Sequence, residues 1–139
     1  MNILYFLTPK NQVANVFEDS NLRQLMEKLD YHKYSAIPVI NHDGQYVGTV
    51  AEGDILRVVK DKFNMNLQAA QGIAVKDIPR RTEVFPVNAN ASMDDIIDMA
   101  IAQNFVPVTD DNNVFIGIVT RKDILKHFRD KLNKEVVAN

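Results

Sequence analysis

Apolar residues in this chain fall into short runs broken by polar turns, and the same succession of runs occurs twice. Residues 13–17 predict a brief extended segment. Asp19 or Ser20 then caps a helix carrying Leu22, Leu25, Met26 and Leu29 at three- and four-residue spacing, one face of a 3.6-residue period. Residues 34–40 are almost continuously apolar and include Pro38. Proline cannot donate to a sheet ladder, so this run predicts a strand near a sheet edge. Asn41-His42-Asp43-Gly44 predicts a turn, and residues 46–51 supply the hairpin partner. Asp54 opens a second helix that continues through Ile55, Leu56, Val58, Val59 and Phe63.

The second copy has the same grammar. Residues 83–87 are extended. Ser92-Met93-Asp94-Asp95 reads as a capping box, with Asp in the usual Glu or Gln place, ahead of Ile96, Ile97 and Ala100. Residues 106–109 and 114–120 predict a hairpin across Asp110-Asp111-Asn112-Asn113. Residues 122–134 predict a last helix rich in Lys126, His127, Arg129, Lys131 and Lys134, a solvated helix end that complements the macrodipole. Pro38 and Pro107, Gly48 and Gly117, and Asp54 and Asp123 each stand 69 residues apart. Each copy therefore reads strand, helix, strand, strand, helix. Two such supersecondary units in one chain predict an α/β (α+β) fold of tandem β-α-β-β-α repeats, with any ligand site in the groove between them. The expected division is 1–66 for the first repeat with its N-terminal segment, 67–82 for a structured connector, and 83–139 for the second repeat with its C-terminal helix. From Leu25 to Pro38 the first copy spans 13 residues, whereas Ile96 to Pro107 spans 11, so the two pockets are not identical.

Composition narrows the function. The chain has 139 residues, 46% of them hydrophobic, enough to bury a core. No apolar run approaches the ~18 residues of a membrane span. The apolar start, residues 3–7, lacks a positive flank and reads as a packed segment rather than a secretion signal. Without cysteine there is no disulfide framework, thiol nucleophile or thiolate metal site, which fits a cytoplasmic protein. A net charge of −2 argues against general nucleic-acid affinity. His32, His42 and His127 share no ligand spacing, Asp94 and Asp95 lie in the first turn of a helix, and Asp110-Asp111-Asn112-Asn113 lacks the oxygen spacing of a calcium loop. No catalytic residue and no metal ligand is expected, and the chain does not read as an enzyme.

The candidate chemistry sits where the second hairpin runs into its helix, at Thr120-Arg121-Lys122-Asp123. The Thr120 hydroxyl and the amides of a helix N-terminus can hold phosphate oxygens, and Arg121 can neutralise them in a bidentate fork. The Asp123 carboxylate can accept from two vicinal hydroxyls, as a ribose presents. The first copy reads Ala51-Glu52-Gly53-Asp54, with alanine in place of the hydroxyl and glutamate in place of the cation. Any site at Asp54 is empty or takes a less anionic group.

Tyr34-Ser-Ala-Ile-Pro-Val-Ile followed by Gly48-Thr-Val-Ala-Glu-Gly-Asp, repeated as Phe105-Val-Pro-Val-Thr followed by Gly117-Ile-Val-Thr-Arg-Lys-Asp, resembles the CBS domain. The chain resembles a stand-alone CBS pair, or Bateman module, over nearly all of residues 10–132. The resemblance implies two repeats about a pseudo-twofold axis, a homodimer built on exposed helix faces, and an adenosine nucleotide in the cleft. Carried over, the main site comprises Gln12, Ala14, Val16 and Tyr34, Ser35, Ala36, Ile37 and Pro38 for the base, with Thr120, Arg121 and Asp123 for phosphate and ribose. A second site would use Val84, Val87, Phe105, Pro107 and Asp54. Val13-Ala-Asn-Val, Asp77-Ile-Pro-Arg80 and Asn113-Val-Phe-x-Gly-Ile-Val-Thr-Arg121 bring the chain closer to small bacterial CBS proteins that sense cyclic di-AMP. It departs from them in Gln12, where lysine is usual, and in Asp123, where an apolar residue is found. AMP, ADP and ATP therefore compete with cyclic di-AMP as the ligand. The implied role is regulatory, with an unidentified effector protein controlled in trans; the alternative is a structural or protein-interaction pair without a nucleotide.

Overall fold

The structure, a computed structural model, describes residues 2–32 and 34–138. In chain order its strands and helices begin with β1 (Thr8–Pro9), β2 (Val16–Phe17), α1 (Leu22–His32), β3 (Ala36–Ile40), β4 (Tyr46–Ala51), α2 (Glu52–Phe63) and α3 (Leu67–Ala70). They continue with β5 (Val87–Asn88), α4 (Met93–Ala102), β6 (Phe105–Thr109), β7 (Phe115–Thr120) and α5 (Arg121–Ala138). Both copies of the β-α-β-β-α unit are present, as the apolar pattern predicts. The chain divides into two compact units, Ala14–Val84 and Met1–Val13 with Phe85–Asn139.

In the unit of residues 14–84, β2 lies parallel to β3 and β3 antiparallel to β4, with Pro38 opposite Thr49 and Ala36 opposite Ala51. In the other unit β5, β6 and β7 repeat that arrangement, with Pro107 opposite Ile118 and Phe105 opposite Thr120. The register slips before the last pair in both hairpins, at Val39/Ile40 and at Val108/Thr109. The turns are equivalent too. The Asn41 carboxamide oxygen accepts from the amides of Asp43 and Gln45, and Asp110 accepts from those of Asn112 and Val114. Such side-chain-to-backbone bonds fold a turn without help from distant residues.

β3, expected near a sheet edge because of Pro38, lies between β2 and β4, and three further expectations change. The N-terminal segment, expected with the first repeat, belongs with the second. β1 adds to the edge of β7, Thr8 opposite Ile118 and Pro9 opposite Gly117, and Ile3 and Phe6 are buried with Val106, Val108 and Val119. An edge strand carries unpaired amides and carbonyls, and β1 satisfies those of β7. The segment expected as a connector, 67–82, is part of the first unit rather than a joint. Ala70, Val75 and Ile78 lie in its core, and the amides of Leu22, Val75 and Lys76 bond to Ile73, Ser20 and Glu18 carbonyls at 2.9, 2.8 and 2.9 Å. Finally, α1 is capped by Asn21, which exchanges side-chain-to-amide bonds with Gln24 at 2.9 Å in both directions. Asp19 instead meets His42 Nε2 at 2.7 Å, and that bond holds its carboxyl below the usual carboxylate range.

Candidate functional site

At the end of β7 the chain turns directly into α5. Thr120 precedes the first helical residue, and its hydroxyl oxygen accepts from the Asp123 amide at 3.1 Å. This satisfies one of the amides that a helix start leaves without an intrahelical partner. The hydroxyl proton stays available to an acceptor outside the chain. Asp123, half-buried in the first turn, has a carboxylate with no hydrogen-bond or ion-pair partner among the described residues. Thr120 and Asp123 thus present a donor and an acceptor side by side.

Arg121 is used otherwise than expected. Its Nε donates to the Ala100 carbonyl at 2.7 Å and an Nη to the Ile101 carbonyl at 3.2 Å. These are among the last carbonyls of α4, which have no intrahelical donor. The fork expected to face phosphate caps a neighbouring helix instead. Gln12 lies in the same unit, exposed at the end of a 3-10 turn, Lys10–Gln12. Phe105 is half-buried beside Thr120, and Pro107 and Val87 are buried in the sheet.

The other named residues lie in the unit of residues 14–84. Ala14, Tyr34 and Ala36 are half-buried and Ser35 is exposed, its carbonyl accepting from the Glu52 amide at 3.0 Å. Val16 and Ile37 are core residues, 1% and 0% exposed, and Pro38 is buried beside them, so these three present little surface to a ligand. Asp54 is only 5% exposed and fully engaged. It accepts from the Ala51 amide at 3.0 Å, the Arg81 amide at 3.1 Å and the Arg57 guanidinium at 3.2 Å. Buried and already holding three donors, this carboxylate presents little to a ribose diol. The Val84 carbonyl likewise accepts from the Tyr46 hydroxyl at 2.6 Å.

Sequence reasoning missed the polar structure around β4. Tyr46 bonds Thr49 Oγ1 at 2.8 Å as well as Val84, and burial pushes its phenol up to about 12. The signal was in the repeat itself, because the positions 69 residues on hold Phe115 and Ile118 and both polar groups vanish together. Arg80 lies over Gly48 and donates to the Val47 carbonyl at 3.3 Å; a Cβ at Gly48 would fall 1.5 Å from its Nη1. No helix among the described residues is long and apolar enough to cross a membrane. Nor does any group of three or more His, Asp or Glu side chains there cluster to hold a metal ion.

Comparison with known proteins identifies the two repeats. The model of the CBS domain matches residues 7–61 and 75–130. Cyclic di-AMP receptor B of Bacillus subtilis is 27% identical over 131 residues, covering 94% of this chain and 86% of that protein. An uncharacterized protein of Methanocaldococcus jannaschii is 22% identical over 145 residues, and the match covers 96% of this chain and 51% of that longer protein. The crystal structure of CbpB in complex with c-di-AMP superposes with a TM-score of 0.89 at 27% identity, covering all of this chain and 91% of that one.

Proposed function

The chain belongs to the CBS domain family, with two copies in tandem, and from that premise we propose that it is a regulatory module that binds an adenine nucleotide and controls a partner protein without catalysing a reaction. One observation carries the ligand assignment: the unpartnered Asp123 carboxylate beside the Thr120 hydroxyl at the start of α5. A carboxylate in this position accepts from the vicinal hydroxyls of a ribose, and the hydroxyl donates to a phosphate oxygen. The adenine is assigned to Gln12, Ala14 and Tyr34–Ala36 through the family resemblance, with the buried Val16, Ile37 and Pro38 backing them. The similarity to a c-di-AMP complex and to a cyclic di-AMP receptor supports an adenine dinucleotide, whereas Asp123 supports AMP, ADP or ATP with a free ribose diol. With Arg121 holding α4, phosphate charge meets one counterion fewer, so AMP is favoured over ATP. The module is assigned to the cytoplasm, as a homodimer acting on its partner in trans. Its output is linkage: a nucleotide that prefers one conformation shifts the partner's affinity by its differential binding free energy.

Calorimetric titration of AMP, ADP, ATP and cyclic di-AMP into the parent and into Asp123→Ala tests this. AMP is expected to bind the parent, and Asp123→Ala to weaken it about ten-fold or more, at roughly 1.4 kcal/mol per decade. Cyclic di-AMP binding that ignores Asp123→Ala would transfer the assignment to the dinucleotide. No binding of any of the four would leave a structural CBS pair.

A further inference from the structure

The face of α5 that carries Asp123 continues one turn further, to His127. The four-residue spacing makes the two side chains neighbours, with His127 about 6 Å further along the helix axis. Lys126 is also close to Asp123 in the chain, but with Lys122 and Arg129 it lines a groove that neither Asp123 nor His127 enters. His127 is therefore the nitrogen-bearing side chain that shares the Asp123 face.

The N-terminal arm holds its ring. β1 runs antiparallel to β7 with Thr8 opposite Ile118, so the chain before Thr8 leads towards Thr120 and the start of α5. There the 3-10 turn Ile3–Phe6 sets two rings edge-on to the imidazole, Tyr5 at 5.8 Å and Phe6 at 5.0 Å between centroids. Phe128 adds a third at 5.5 Å. The imidazole is half-buried, and its nitrogens have no hydrogen-bond partner among the described residues. The fold does not require a histidine here. The residue 69 positions earlier is Val58, 3% exposed in the core of the other unit. A rigidly held ring with a free N–H thus stands one turn from a carboxylate that also lacks a partner.

We propose that His127 is a ligand residue that reads the 3′ position of the ribose, and that the site accepts a nucleotide carrying a phosphate monoester there. Position along α5 assigns the groups. Thr120 faces the 5′ phosphate and Asp123 the ribose. His127, one turn further from the helix start, faces what extends from the ribose on the side away from that phosphate. A 3′ phosphate leaves Asp123 the 2′ hydroxyl and sets like charge beside the carboxylate. The imidazole N–H offsets that repulsion by donating to a phosphate oxygen, a charge-assisted bond. Arg121, held on the carbonyls of α4, is not placed to do so. Tyr5 and Phe6 are positioning residues that act through the ring they hold. The inference rests on the ribose assignment to Asp123 made above and adds to it a preference between ligands.

Calorimetry of AMP and of adenosine 3′,5′-bisphosphate tests it on the parent and on His127→Phe, which keeps a ring against Tyr5, Phe6 and Phe128 but removes the nitrogens. The bisphosphate is expected to bind the parent about ten-fold tighter than AMP, the order that a hydrogen bond to a charged group supplies. In His127→Phe the ratio of the two affinities is expected to fall to about one. Tyr5→Ala is expected to lower the ratio as well, and Tyr5→Phe, which restores the ring, to recover it. A bisphosphate that binds the parent no tighter than AMP, or a ratio that survives in His127→Phe, overturns the proposal and leaves the Asp123 assignment standing. AMP binding that ignores Asp123→Ala, or a parent that binds no AMP, overturns both.

Discussion

Asp54 and Asp123 occupy the same place in the two repeats, the third residue of the helix that follows the hairpin, yet they are used in opposite ways. The difference starts three residues earlier. Thr120 offers a hydroxyl that accepts the Asp123 amide, so the helix is capped and the Asp123 carboxylate is left over. Ala51 has no hydroxyl. There the carboxylate turns back to the Ala51 amide, and Arg57 and the Arg81 amide gather on the same group. One copy of a duplicated residue has become structural, while its twin keeps a carboxylate without a partner among the described residues. Duplication permits such a division, because the two copies can be put to different uses in one chain.

The largest expected effect breaks that contrast in stability. Asp54→Ala removes the acceptor of two amides and of a half-buried guanidinium, at a cost of about 2–3 kcal/mol. Asp123→Ala, which loses no bond, is expected to shift urea unfolding by less than about 0.5 kcal/mol. Equal losses would mean that the two carboxylates do the same work.

Gly48 and Gly117 sharpen the comparison at the strand edges. Both hold positive φ, +152° and +154°, where a side chain is strained. A Cβ at Gly117 would fall 2.2 Å from the Thr8 carbonyl, part of a paired strand that cannot move without unzipping. At Gly48 the obstacle is the Arg80 guanidinium, the far end of a flexible side chain. Thermal denaturation is expected to show a loss of about 2 kcal/mol for Gly117→Ala and about 1 kcal/mol for Gly48→Ala. The reverse order would make Arg80 the more rigid wall.

The smallest effect concerns Tyr46 and its counterpart Phe115. Tyr46→Phe leaves the Val84 carbonyl and the buried Thr49 short of a partner, at about 1 kcal/mol; adding Thr49→Ile, which copies Ile118, should recover part of it. The phenol also sets a pH dependence. Its folded value of about 12 lies above the ordinary value of 10.0, so the folded state holds the proton more tightly. The resulting stability is complete below pH ~10 and is lost as pH rises through about 12. Circular dichroism across that window should show the parent losing stability more steeply than Tyr46→Phe. Superimposable alkaline curves would remove Tyr46 from this role.

Several elements were legible because their causes are local. The hairpins follow from apolar runs flanking Asn41 and Asp110, whose side chains fold their own turns. The cap of α1 was not, since Asp19, Ser20 and Asn21 are all good cap formers. Gln24 selects Asn21, and His42 draws Asp19 away. Among the candidate site residues, Thr120 caps α5 and Asp123 stands in its first turn. Val16 and Ile37 face the core because alternation in a short, nearly all-apolar strand does not say which side is covered.

By itself the sequence determined a doubled β-α-β-β-α unit, its hairpin partners and the polar corner at Thr120 and Asp123. Periodicity, turn chemistry and capping act within a few residues and leave their mark in the order of amino acids. Tertiary structure decided which sheet edge receives β1, which aspartate is consumed by Arg57 and Arg81, and that Arg121 closes α4 rather than facing solvent. Each of those outcomes is a competition among donors, acceptors and apolar surfaces, and the contacts that settle most of them join residues far apart in the chain, so only the folded chain resolves them.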